Sequence, residues 1–498
     1  MRLSSLFFVL ARFFLPPTAI GLIYLYFYTA ISLCAFPLAK QGAAACVVPG
    51  SQKPAVPAEI APFRLLTLAD PQLEGDTSLP DPNAPQFPSL QRLYEQLSRD
   101  GVRALPETVL AVKSTVTTDL PRVLQGYRKR LDLLGNDYYL AHIYRSVKWW
   151  TQPTHTVVLG DLLGSQWIDD AEFENRAGRF WNRVFRNATT VPKATTATSS
   201  KVEALGEDPQ WSERIITVAG NHDIGYAGDI DSARVARFET QFGHVNWETR
   251  FVLNSKDDED SSIPSIFRKA KPELRMVVLN TMNLDEPVRD HHLRDESLLF
   301  LGRSFSEAQS RNNRREAAIV LTHMPLHKEA GICVDEPLIN YFPSEYGGGI
   351  REQNHLRPET SQRVLSGFGS KTIILNGHDH EGCDTYHYRN SSDATWSARR
   401  YHLARKERAD ASLTAIREIT VRSMMGSYGG NAGLLSAWFD REWDAWRFEY
   451  ATCVIGVQHI WWAGHVLALV EIMFALLGVT FLILEARSDK TATKEKRE

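Results

Sequence analysis

The chain has 498 residues, enough for roughly one to three domains and for a large core built without staples. Lys plus Arg number 56 against 59 Asp plus Glu, and the resulting net charge of -3 gives nucleic acid no general attraction. With 43% hydrophobic and 23% charged residues it is neither disordered nor collagen-like, and five cysteines without a CxxC exclude a disulfide scaffold or zinc-finger array, so a catalytic metal must come from His, Asp and Asn.

Residues 18–38 carry no charge, and 460–484 are interrupted only by His465 and Glu471. At about 1.5 Å per residue each stretch spans a hydrocarbon core of about 30 Å, whereas the apolar core of a cleaved signal is only about 7–15 residues long. Both are predicted to be transmembrane helices; the Ala-rich residues 41–45 leave a cleaved signal as the alternative for the first. Trp461 and Trp462 suit an interfacial aromatic belt. Arg2 and Arg12 precede the first span, while Arg487, Lys490, Lys494, Lys496 and Arg497 follow the second. The positive-inside rule therefore places 1–17 and 485–498 in the cytosol and everything between in a lumen. The sequons at Asn187 and Asn390 suit that side. Lys494 and Lys496 resemble a dilysine signal for retrieval to the endoplasmic reticulum, with a basic solvated tail as the alternative. Residues 39–62, rich in Ala, Pro and Gly, read as a linker, and 63–450 as the folded luminal domain.

Within that domain short apolar runs end repeatedly in polar clusters. Leu65–Ala69 meets Asp70; Thr156–Leu159 meets Gly160-Asp161; Ile215–Ala219 meets Gly220-Asn221-His222-Asp223; Ala318–Thr322 meets His323; and Thr372–Asn376 meets Gly377-His378-Asp379-His380. Runs of this length suit strands buried on both faces, and the intervals, such as Leu120–Trp150, accommodate helices. An α/β sandwich with its ligands at the carboxyl ends of the strands is predicted. Oxygen and nitrogen donors without thiolate favour Mn²⁺, Zn²⁺ or Fe at a catalytic site. Two such ions about 3.5–4 Å apart would activate water and clamp the attacking and leaving oxygens of a phosphoryl displacement.

These blocks resemble the calcineurin-like metallophosphoesterase superfamily, whose pattern is D-x-H, G-D, G-N-H-[DE], a lone His and G-H-x-H. The resemblance runs over about residues 63 to 430 and implies a βαβαβ sandwich of two mixed sheets with two divalent ions, Mn²⁺ foremost. Carried over, Asp70, Asp161 and His380 would hold one metal, and Asp161, as the bridge, with Asn221, His323 and His378 the other. His222 would protonate the leaving oxygen or stabilise the phosphate, with Asp223 fixing its tautomer. Asp70-Pro71-Gln72 departs from D-x-H, so Gln72 is a weaker neutral ligand, a hydrogen-bonding residue behind the ligands, or the mark of a lost activity.

The interval from Asp70 to Asp161, the flanking spans and the phrases Leu321–Leu326 and Met425–Gly430 resemble a membrane-anchored branch. That branch remodels glycosylphosphatidylinositol (GPI) anchors in the endoplasmic reticulum by removing ethanolamine phosphate from a mannose. The resemblance implies GPI-anchored proteins or GPI glycolipid as substrate, cargo-receptor proteins as partners, coat machinery at the C-terminal lysines, and a part in maturation and export of the anchored proteins. The competing readings are a phosphatase or nucleotide phosphodiesterase of the same fold, and a non-catalytic membrane adaptor.

A disulfide between Cys333 and Cys383 is expected, both flanking catalytic blocks in an oxidising lumen, while Cys34 falls in the first span. The Thr/Ser-rich stretch from Asn187 to Ser200 reads as a disordered excursion. His142, His291, His292 and His387 read as surface or satisfied core residues, His327 is undecided, and Tyr346–Gly349 reads as a lid or a plain surface loop.

Overall fold

The computed structural model describes residues 2–31, 34–38, 59–75, 79–81, 83–100, 105–197, 201–254, 270–310, 315–390 and 395–495. Most of the expected linker (39–58) and Lys496 of the C-terminal lysine pair lie outside them.

Among the described residues sixteen strands form, in chain order β1 Phe63–Leu68, β2 His155–Leu159, β3 Thr189–Thr190, β4 Lys201–Ala204, β5 Arg214–Val218, β6 Trp247–Val252, β7 Glu273–Val278 and β8 Glu316–Leu321. Then come β9 Ile339–Tyr341, β10 Ile350–Gln353, β11 Thr372–Asn376, β12 Cys383–Asn390, β13 Ser397–Arg400, β14 Leu413–Thr420, β15 Asn431–Asp440 and β16 Ala445–Val454. They build a six-stranded sheet in the order β16-β15-β1-β2-β5-β3 and an eight-stranded sheet β13-β12-β14-β11-β8-β7-β6-β4, with β9 and β10 as a separate hairpin. Both sheets are mixed: β1, β2 and β5 run parallel, as do β14, β11, β8 and β7, while β15 and β12 pair antiparallel. The predicted two-sheet α/β sandwich is the observed fold.

The period-two geometry of a strand sorts its side chains between two cores. Phe63, Leu65, Val157, Leu159, Ile216 and Val218 of one sheet meet Ile319, Leu321, Ile373 and Leu375 of the other. The alternate residues Leu66, Leu68, Val158, Val320 and Ile374 face outward into a second cluster with Leu140 and Ile143 of the helix Leu120–Thr151. The central strands are thus apolar on both faces, which is why they read as unbroken hydrophobic runs.

Among the described residues two helices are long and apolar enough to cross a membrane, Leu3–Ala30 and Gln458–Lys490. The first helix runs from Leu3 to Ile31, so residues 3–17, expected as a separate N-terminal segment before an uncharged span at 18–38, belong to it, Pro16 and Pro17 included. Neighbouring helices can re-satisfy the backbone beside a proline in lipid, so the pair does not stop this one. The second helix likewise extends beyond 460–484, over Gln458–Glu495. The two helices pack together: Phe7 stacks on Phe474 and Phe481, and Ser4 Oγ donates to Glu485 Oε2 at 2.6 Å.

Because the first helix ends at Ile31, Cys34 lies past it and forms a disulfide with Cys453 of β16, Cα to Cα 5.8 Å; the expectation that it sits inside a span was wrong. The expected Cys333–Cys383 disulfide is present, Cα to Cα 5.7 Å, inside the limit of about 7 Å for such a bridge. The Asn187–Ser200 stretch is also corrected. Over its described part Thr189–Thr190 pairs with β5, Lys193–Thr196 is a helical turn, and Thr195 and Thr196 are buried. Composition predicted disorder there because it does not register a tertiary contact.

Candidate metal centre

Every predicted ligand block lies just beyond the carboxyl end of a parallel strand: Asp70 after β1, Asp161 after β2, Asn221 and His222 after β5, His323 after β8, His378 and His380 after β11. The loops after β1 and β2 are zipped together, Gln72 N donating to Asp161 O at 2.9 Å and Leu73 N to Leu162 O at 3.2 Å. Asp70, Gln72, Asp161 and His378 all have positive φ, between 42° and 74°. Left-handed backbone costs a non-glycine residue about 1–2 kcal/mol, and it clusters where a surrounding fold holds a functional geometry. Gly160, at φ 86°, leaves room for the His323 ring, into which a Cβ would run. At Gly377 a Cβ would lie 2.5 Å from the Leu159 carbonyl oxygen and 3.1 Å from Asp70, so these sheet ends come together only without one.

The side chains converge. Asn221 Oδ1 lies 3.0 Å from His323 Nε2 and 2.9 Å from His378 Nδ1, and His323 Nε2 is 3.4 Å from Asp161 Oδ1. One ligand atom each from Asp161, His323 and His378 falls within 4.8 Å of the others. Both imidazoles are oriented from behind. His323 Nδ1 donates to the Leu159 carbonyl at 2.8 Å and His378 Nε2 to the Gln353 carbonyl at 2.7 Å, so each ring turns a lone pair inward. Asp70 accepts from His378 N at 3.1 and 3.2 Å. The Gln72 amide is 3.2 Å from both Asp161 Oδ2 and His380 Nε2. That position serves either expected role: nitrogen inward it donates to Asp161, and oxygen inward it is a neutral ligand.

Asp223 behaves differently from the expectation. Its carboxylate accepts from Leu163 N at 3.0 Å, Gly220 N at 2.9 Å and Leu162 N at 3.2 Å, and among the described residues no hydrogen bond joins it to the His222 ring. It therefore locks the Gly160-Asp161 loop to the Gly220-Asn221-His222 turn and does not set the tautomer of His222. The backbone N–H of His222 donates to Asp161 Oδ1 at 2.8 Å, while its ring stays about a third exposed with Nε2 3.8 Å from Asp161 Oδ2.

The electrostatics fit a cation. Burial, then repulsion from Asp161, raises Asp70 well above the carboxylate range and Asp223 to about 8. Burial lowers His323 and His380, and burial together with His323 lowers His378 to about 3, leaving neutral imidazoles as metal ligation requires. Fully buried carboxylates facing neutral nitrogens are costly until positive charge arrives. Asp70, Asp161, Asn221, His323, His378 and His380 could hold it, with Gln72 beside them; divalent metal, when bound, would supply Lewis acidity and an activated water for displacement at phosphorus.

The centre opens into a cavity of about 680 Å³ whose walls include His222, Trp167, Tyr226, Arg351 and Tyr428. Gln353, Arg351 and Tyr226 stand outside the motifs. Gln353 works through a main-chain carbonyl that any residue would supply, so no sequence signal marks it. Tyr346–Gly349 is the turn of the β9–β10 hairpin, which carries Arg351 and Gln353 to the site. Beneath the centre, buried Glu418 of β14 accepts from Leu326 N at 2.8 Å, Asn376 Nδ2 at 2.7 Å, Lys328 Nζ at 3.0 Å and His387 Nε2 at 2.5 Å. It ties the His323 loop to the residue before Gly377-His378, and makes His387 a satisfied core histidine. His142 is buried too, His327 is half-buried with its N–H bonded to Ser361, and His291 and His292 are exposed.

Glu418→Gln leaves the Lys328 ammonium buried without a counter-charge and is expected to cost about 3–5 kcal/mol, read as a lowered denaturation midpoint. Lys328 and His387 hold Glu418 below its unfolded pKa against the opposing effect of burial. Its contribution is therefore complete above the ordinary carboxylate range and is lost as pH falls below it, so wild type and variant should converge in acid.

The family described as calcineurin-like phosphoesterase matches residues 115–382, more than half of the chain. This chain belongs to that family. The match takes in Asp161 through His380, and the structure adds Asp70 and Gln72 through β1. Protein TED1 of Saccharomyces cerevisiae is 32% identical over 397 residues, covering 70% of this chain and 77% of that protein. An uncharacterized protein of Schizosaccharomyces pombe is 26% identical over 382 residues, covering 71% and 82%. Metallophosphoesterase 1 of Cricetulus griseus is 24% identical over 264 residues, covering 52% and 57%. As a calcineurin-like phosphoesterase, the chain is a metal-dependent phosphoester hydrolase carrying two helices able to cross a membrane.

Proposed function

We propose that this phosphoesterase is a luminal enzyme of the endoplasmic reticulum membrane that removes ethanolamine phosphate from a mannose of GPI anchors, and so supports maturation and export of the anchored proteins. The observation that carries the reading is the short path from the centre to the membrane helices. The Tyr428 ring packs on His380 at 4.7 Å, Gly426 of the same turn lies against Gln458, the first residue of the second apolar helix, and Gln458 Nε2 is 3.2 Å from Asn136 Oδ1. A site held at that height suits a phosphodiester standing on a lipid anchor and raises its effective concentration; a soluble nucleotide would gain nothing. The motif phrases that resemble the GPI-remodelling branch support the same substrate.

Asp70, Asp161 and His380 hold one ion in this proposal, and Asp161, Asn221, His323 and His378 the other, with Mn²⁺ suited to the mixed donors. His222 lines the open cavity wall, where it can pass a proton to the sugar oxygen that leaves. Cargo receptors and coat machinery are the proposed partners, the latter through the C-terminal lysines.

Mass spectrometry of GPI glycans tests this. Cells lacking the protein should retain ethanolamine phosphate on a mannose, with restoration by wild type and not by Asp161→Asn. Unchanged glycans would remove the substrate assignment while leaving the phosphoesterase chemistry intact. Asn187 and Asn390 are both exposed, and glycans on them sensitive to endoglycosidase H should report the luminal orientation.

A further inference from the structure

The helix Leu120–Thr151 has 32 residues and a length of about 48 Å at 1.5 Å per residue. One side of it is core, carrying buried Tyr139, Leu140, Ile143, Tyr144 and Val147. The opposite side has two halves. From Gly135 onward it meets the apolar helices: a Cβ on Gly135 would strike the Trp462 ring, and the His142 and Tyr26 rings are 5.0 Å apart. These contacts all lie near the Ile31 end of the first apolar helix and the Gln458 start of the second. The long helix therefore crosses the two spans where they leave the hydrocarbon.

In the N-terminal half the same face carries on past the spans and is apolar. Leu124, Tyr127, Leu131 and Leu134 recur at the spacing of a helical stripe and are 58%, 52%, 62% and 39% exposed. At about 100° per residue they fall within the sector that also holds Gly135 and His142. Arg128 and Arg130 emerge on the two flanks, with the Arg130 guanidinium 5.5 Å from the Tyr127 ring centroid. Contiguous exposed apolar surface of this kind needs an occupant. The face that abuts the span ends, extended sideways, can only look at the bilayer surface.

We propose that the Leu120–Leu134 half of this helix lies in the luminal bilayer interface, with its leucines among the upper acyl chains and Arg128 and Arg130 reaching the lipid phosphates. An interfacial helix with flanking arginines has this chemistry, burying its apolar face about 5–10 Å deep. It gives the domain a third point of contact with the membrane. Lys129 Nζ bonds Glu74 Oε2 at 2.8 Å, and Gly126 packs on Pro80, so the segment following Asp70-Pro71-Gln72 rides directly on this helix. The height of the metal centre above the lipid is then fixed by a rigid element and not by the two tethers alone.

The inference rests on the two apolar helices crossing a bilayer and is independent of the substrate. Its test uses the full chain in a Cys46→Ser background, reconstituted into phosphatidylcholine vesicles containing lipids doxyl-labelled near the headgroup. A bimane fluorophore is placed by Leu124→Cys, Leu131→Cys, Leu469→Cys in the second span, or Asp410→Cys on the far surface. Bimane at Leu124 and Leu131 should be quenched about twofold or more, as expected for interfacial depth, with none at Asp410. Quenching at Leu469 without quenching at Leu124 and Leu131 would overturn the proposal while leaving the spans in place. Failure at Leu469 as well would overturn it together with the membrane reading. Cross-linking of Leu131→Cys to a second copy, without lipid quenching, would replace the bilayer with a dimer and equally overturn it.

Discussion

Asp161→Asn is expected to lower hydrolysis of bis-p-nitrophenyl phosphate by on the order of 10³-fold or more and to leave the purified protein short of divalent metal. Asp161 is 1% exposed and stands between both sets of nitrogen ligands. Its Oδ1 accepts from His222 N at 2.8 Å and lies 3.4 Å from His323 Nε2, while Oδ2 is 3.2 Å from the Gln72 amide and 3.8 Å from the His222 ring. His323, His222 and His378 together outweigh burial and lower its pKa, so this carboxylate keeps its charge while Asp70 and Asp223 are pushed up. Asn preserves shape and the hydrogen bond from His222 N but removes the single negative charge that both sides of the cluster share. The backbone at φ 48° is one that Asn tolerates, so folding should survive. Metal content by elemental analysis and turnover, measured side by side, check the expectation. A variant with wild-type rate and two equivalents of metal would show that Asp161 is not the shared ligand.

The parts of this molecule legible in its sequence are those where one physical demand fixes the residue type. β2, β5, β8 and β11 are buried on both faces, which leaves uninterrupted aliphatic runs, and each must deliver a polar ligand through a tight turn. Hence Gly160-Asp161 and Gly377-His378 announced themselves. Residues acting through their main chain or through a distant partner left no such trace. Gln353 orients His378 by a carbonyl, and the Glu418–Lys328 pair joins positions that are far apart along the chain. Asp223 was recognised as part of a block, yet its role followed from three backbone donors that only the fold brings to it. The start of the first apolar helix was misplaced because the span was read as the uncharged run 18–38, whereas the helix continues through Arg12 back to Leu3. In lipid a long side chain near a helix end can reach the interface, and a helix longer than the hydrocarbon is thick can tilt. That error carried Cys34 with it, since only a helix ending at Ile31 leaves the cysteine free to meet Cys453.

His222→Ala should separate chemistry from metal binding. Its backbone N–H is clipped to Asp161 Oδ1, an interaction that alanine retains, so the loop and the cluster should stay in place. Its ring lies outside the inward ring of donors formed by Asn221, His323 and His378, at the wall of the open cavity and about a third exposed. Removing a group so placed should not empty the centre, whereas removing a positioned proton donor lowers the rate by about 10²–10⁴-fold. The loss should also depend on the leaving group. An ester of an alcohol such as a sugar leaves as a strong base and needs the proton, while p-nitrophenolate departs without help, so the variant should retain far more activity on the nitrophenyl ester than on the sugar phosphodiester. Equal losses on both substrates, with metal retained, would make His222 a phosphate-positioning residue; loss of metal along with activity would make it a ligand. Either result would remove it as the acid, and the retained metal content is what distinguishes a change in proton transfer from collapse of the site that Asp161 and the two oriented imidazoles hold together.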